Sequence, residues 1–120
     1  MIDRQKLTNL LNSSPNVQRV EVDNDFIKIY TNILLGDSGD YLNAYLIFEE
    51  DEMFLSDGNN IYMMLDDYYK IDKEELAKLA KESKFEFDNY RFSKKVTIKN
   101  VLDAIDELGV IVDSIVNNRI

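Results

Sequence analysis

The run Tyr41-Leu42-Asn43-Ala44-Tyr45-Leu46-Ile47-Phe48 decides the fold. Read with the two-residue period of a strand, it is apolar on both faces except at Asn43, which marks a strand inside a sheet rather than at its edge. It lies within a longer stretch, Ile29 to Tyr69, that contains no lysine or arginine but nine acids: Asp37, Asp40, Glu49, Glu50, Asp51, Glu52, Asp57, Asp66 and Asp67. Eight of the thirteen aromatic residues fall there too. This stretch is therefore expected to be both the middle of the fold and the source of the negative charge.

On its N-terminal side, Gly36-Asp37-Ser38-Gly39 reads as a loop, because two glycines and short polar residues favour turns. Phe26 to Tyr30 reads as a strand, with Ile27 and Ile29 on one side and Phe26, Lys28 and Tyr30 on the other. Asp23-Asn24-Asp25 is turn chemistry, and Val17 to Val22 is a first strand. Pro15 ends an opening helix over Arg4 to Asn12, capped by Asp3 and striped by Leu7, Leu10 and Leu11.

On the C-terminal side, Glu49-Glu50-Asp51-Glu52 should tip a hairpin into a fourth strand, Met53-Phe54-Leu55. Ser56 to Asn60 then converts strand to helix, with Asn59 or Asn60 capping a helix that carries Ile61, Met64, Leu65 and Tyr68. Asp72 and Glu75 form a capping box for the next helix, whose inner face is Leu76, Leu79 and Ala80. Phe85 to Phe92 reads as a small hairpin turning at Asp88-Asn89. Thr97 caps a long last helix, Ile98 to Val116, with a seam at Ile98, Val101, Ile105, Leu108, Val112 and Ile115. The seam keeps its phase through Gly109, which favours one continuous helix over a break there. The expectation is a single α+β domain over residues 1–120: an antiparallel sheet of about four strands, helices packed on one face, and a long C-terminal helix.

Composition limits the chemistry. The chain has 120 residues, a formal charge of −9, no cysteine and no histidine. A disulfide, a thiol nucleophile and an imidazole general base are all excluded. Direct nucleic-acid binding is disfavoured, since it needs clustered bases. The imbalance is local: residues 1–28 carry four acids and four bases, whereas residues 29–69 carry nine acids and no base. No apolar run approaches membrane-spanning length, so a cytoplasmic protein with no membrane association is expected.

Several groups of residues offer chemistry, each with a simpler role beside it. Asp23, Asp25, Asp37 and Asp40 offer oxygen ligands for a divalent ion, which makes a carboxylate-type metal-dependent enzyme one alternative, but no loop has calcium-binding spacing. Asp66-Asp67 and the four acids from Glu49 are sequence neighbours that project in different directions, a poor start for a catalytic pair. Ser56-Asp57-Gly58 lacks the flanking glycine and histidine of a nucleophile elbow and reads as structural punctuation. The C-terminal seam suits core packing, with self-association as the alternative. No cofactor, metal or catalytic residue is assigned.

The residues Asp25 to Tyr30, then Leu55-Ser56-Asp57-Gly58 entering a helix, then the Leu102, Ile105 and Leu108 helix resemble a small bacterial and phage family known as domain of unknown function family 1828. The resemblance spans about residues 17 to 116; the loop from Gly36 to Asp40 is longer than that family would have. It implies mobile elements and phages as context, where small acidic proteins inhibit host defence machinery, and it brings no catalytic residues. The expected function is a non-enzymatic acidic module that binds a protein with a basic surface through Asp37, Asp40, Glu49, Glu50, Asp51, Glu52, Asp66 and Asp67. A monomer is expected, with a dimer through the last helix or a structural, self-associating role as the alternatives.

Overall fold

The computed structural model describes residues 2–117. Its elements in chain order are α1 (Arg4–Asn12), β1 (Val17–Val22), β2 (Phe26–Leu34), a 3-10 turn (Gly36–Ser38), β3 (Tyr41–Glu49), β4 (Glu52–Ser56), α2 (Asn60–Tyr69), α3 (Lys73–Glu82), β5 (Glu86–Asp88), β6 (Arg91–Val96) and α4 (Val101–Asn117). All strand pairs are antiparallel, in the order β1-β2-β3-β4-β6-β5. The class is α+β, and β3 sits inside the sheet as its two-faced apolar character requires.

The sheet has six strands rather than about four. The hairpin after α3 joins the sheet because β6 runs on through Ser93, Lys94 and Lys95 to Val96 and pairs with β4 from Met53 to Ser56. Two adjacent lysines hid this strand, since lysine is not a strand-forming residue. Lys94 resolves the conflict by bonding to Glu107 on α4 at 2.8 Å. The turn also moves by one residue. Asp88 pairs with Arg91, so the loop residues are Asn89 and Tyr90, both at positive φ (52° and 62°) as a type I′ turn demands. Tyr90 is an uncommon residue for that conformation; its ring lies 4.2 Å from that of Tyr62 on α2.

One face of the sheet holds the core. Ile27, Ile29, Leu42, Ala44, Leu46 and Leu55 are fully buried, and Leu7 and Leu11 of α1, Ile61 and Leu65 of α2, Leu76 of α3 and Val101 to Ile115 of α4 complete one cluster. The alternate residues Phe26, Lys28, Tyr30, Tyr45, Ile47 and Phe54 are only half-buried, so the helices cover a single face. In α4, Ile105 and Leu108 are fully buried together with Leu42, Ala44 and Leu46, and the helix backbone approaches β4 and β6. The seam is thus used inside the fold. The helix continues through Gly109 to Asn117; a Cβ there would meet Ile33 at 3.5 Å, an ordinary contact.

Three caps differ from expectation. α4 begins at Val101, not Ile98, because Asn100 turns the chain: its Oδ1 accepts from the Thr97 N–H at 2.7 Å. Asp72 caps α3 by accepting from the Glu74 N–H, one residue before Glu75. Neither asparagine caps α2; Asn59 is left-handed and makes no side-chain cap. That task falls to Asp57.

Candidate functional site

Asp57 has no exposed surface. Its Oδ2 accepts from the Ile61 N–H at 3.1 Å, satisfying the start of α2, and its Oδ1 accepts from Asn59 at 3.3 Å and from Phe92 on β6 at 2.8 Å. One carboxylate therefore ties α2 to the junction of β4 and β6. Burial pushes its pKa up to about 6, against the lowering effect of these N–H donors. The structural role expected of Ser56-Asp57-Gly58 from the sequence is the one seen. The cue to Asp57 itself was an aspartate four residues ahead of the apolar Ile61.

The eight acids assigned to partner binding divide between the two ends of β3. Glu49, Glu50, Asp51 and Glu52 form the β3–β4 turn, and the pairing of Phe26 with Ile47 places the β1–β2 turn beside it. The Phe48 N–H donates to the Asp25 carbonyl at 3.1 Å. Asp3, Asp23 and Asp25 thus join this end, which the linear sequence did not reveal. Two bases enter it from elsewhere in the chain. Arg4 donates to the carbonyls of Asp23 and Asn24, at 3.4 and 2.7 Å, and lies 4.1 Å over the Phe48 ring. Lys95 pairs with Glu52.

Asp37 and Asp40 lie at the opposite end, a nine-residue strand or roughly 25–30 Å away. There α2 packs beside the 3-10 turn. The Asn43 N–H donates to Asn60 Oδ1 at 2.9 Å, and the Asp37 N–H donates to the Tyr69 hydroxyl at 2.9 Å. Gly36 makes the second contact possible. It sits at φ +51°, and a Cβ on it would lie 2.2 Å from Tyr69 Oη. This docking brings Asp66 and Asp67 of α2 to the Asp37/Asp40 end. Burial, and then the nearby Asp66 carboxylate, raises the pKa of Tyr62 one turn earlier on α2.

The same geometry separates the four aspartates considered as metal ligands: Asp23 and Asp25 are at one end of β2, Asp37 and Asp40 at the other. Among the described residues no three acidic side chains gather to hold a metal ion, and no helix is long and apolar enough to cross a membrane. Compared with protein-family models, with curated proteins and with solved structures, the chain has no match in any of the three.

Proposed function

We propose that the chain is a non-enzymatic protein-binding module that docks its acidic surface on a basic partner, as a phage or mobile-element inhibitor of a nucleic-acid-binding defence protein acting in the cytoplasm. One observation carries the reading. Asp40, Glu49, Glu50, Asp51 and Asp67 are exposed and take part in no ion pair among the described residues. A field of unneutralised carboxylates steers encounter with a basic surface and opposes self-association of acidic copies. The phage context rests on the likeness to domain family 1828, to which we propose the chain belongs.

The test is capture from a bacterial lysate by the wild-type chain and by two charge-reversed forms, Glu49→Lys/Glu50→Lys/Glu52→Lys and Asp66→Lys/Asp67→Lys. A partner held by the wild type and lost on at least one reversal supports the reading. Equal retention by all three overturns it.

A further inference from the structure

We infer that the docking seat is the end formed by the 3-10 turn and α2, and that it takes a protein segment setting Lys or Arg side chains around a small apolar cluster. The inference deepens the acidic-module reading and rests on it. Among the described residues, six large hydrophobic side chains stand out as exposed, and four belong here: Leu34 at 50%, Tyr41 at 48%, Met63 at 64% and Tyr68 at 52%. Leu34 and Tyr41 are cross-strand partners on β2 and β3, directly flanking the loop that carries Asp37 and Asp40. Met63 and Tyr68 are on α2, the helix that carries Asp66 and Asp67. Exposed aromatic and apolar side chains within a charged rim are the composition of a protein interface, whereas charge alone describes a solvated surface.

The two ends of the sheet differ in this respect. Among the described residues, the β3–β4 turn has its acids but only Val22 of the exposed hydrophobics near it, and two bases, Arg4 and Lys95, are drawn into it. A second, independent argument concerns the placement of Asp66 and Asp67. They stand in the last turn of α2, which holds no base. Negative charge at a helix C-terminus opposes the helix dipole. Asp66 interacts with the Tyr62 hydroxyl one turn earlier, but Asp67 is exposed and takes part in no ion pair among the described residues, and a basic partner gives it a use.

The probes are two synthetic peptides of equal length and equal lysine content: one with leucines at helical spacing among its lysines, the other with serine in place of leucine. Amide chemical shifts of the labelled chain are followed during titration with each. The lysine–leucine peptide should bind about tenfold or more tightly than the lysine–serine one, the effect of an apolar anchor, and shift the amides of Leu34, Tyr41, Met63 and Tyr68. Tyr41→Ser/Tyr68→Ser should remove that preference; both residues are about half exposed or more, so the fold tolerates the change. Asp66→Lys/Asp67→Lys should weaken binding while raising the melting temperature, a combination that a purely structural role does not produce.

Equal affinity for the two peptides, or shifts confined to Glu49–Glu52, overturns the seat and leaves the acidic-module reading standing. Failure of both peptides to bind overturns both. A concentration-dependent doubling of mass reversed by Tyr41→Ser/Tyr68→Ser would assign the patch to a second copy and also overturn the inference.

Discussion

Replacing Asp57 with asparagine should remove one specific component of the protein's pH dependence. The carboxyl is fully buried, and its pKa rises from 3.8 to about 6. Because the raised group is an acid, the folded chain binds this proton more tightly than the unfolded chain does. The stabilisation from protonated Asp57 is complete below about pH 4, declines as pH rises through the window, and is gone above about pH 6. A shift of roughly two units corresponds to about 3 kcal/mol. Asparagine has nearly the same shape but does not titrate. It also turns an N–H donor toward one of the backbone N–H groups, adding a constant cost of about 1–3 kcal/mol. Urea denaturation of both proteins between about pH 4 and about pH 7 isolates the effect, because the other carboxylates are common to both. The stability of wild type minus that of Asp57→Asn should fall by about 3 kcal/mol across the window. A flat difference would refute the raised carboxyl, meaning that the three N–H donors outweigh burial.

Two other changes probe the packing that sets the candidate seat. Leu108→Ala should cost about 2–5 kcal/mol in unfolding free energy without changing the oligomeric state by sedimentation, since Leu108 lies in the core; unchanged stability would mean the seam packs elsewhere. Gly36→Ala should cost about 1–3 kcal/mol in a urea melt, from its positive φ and from displacing the Tyr69 hydroxyl. A neutral result would mean that α2 does not dock on the 3-10 turn through Tyr69.

Much of this fold was legible because hydrophobic period and burial agree. Leu42, Ala44 and Leu46 alternate with half-buried Asn43, Tyr45 and Ile47, and the stripe of α4 survives its glycine. What escaped sequence reading was long-range or side-chain-specific. β6 is held by pairing with β4, which local propensity at Lys94-Lys95 contradicts. The α2 cap comes from a carboxylate that also serves β6, 35 residues away. The acids of the 29–69 stretch look like one group in the linear sequence, but Asp57 is buried and a nine-residue strand holds the other eight at two ends. Tyr41, in the strand read as apolar on both faces, and Tyr68, in the apolar spacing of α2, are instead left about half exposed by the fold.

The central claim is tested most directly by the salt dependence of the affinity between the purified chain and a partner captured from lysate. Docking through unneutralised carboxylates predicts that affinity falls steeply as ionic strength rises and the Debye length shortens from about 10 Å at 0.1 M salt to about 3 Å at 1 M, and that Asp66→Lys/Asp67→Lys flattens this dependence. An affinity that is indifferent to salt and to both charge reversals would contradict the account.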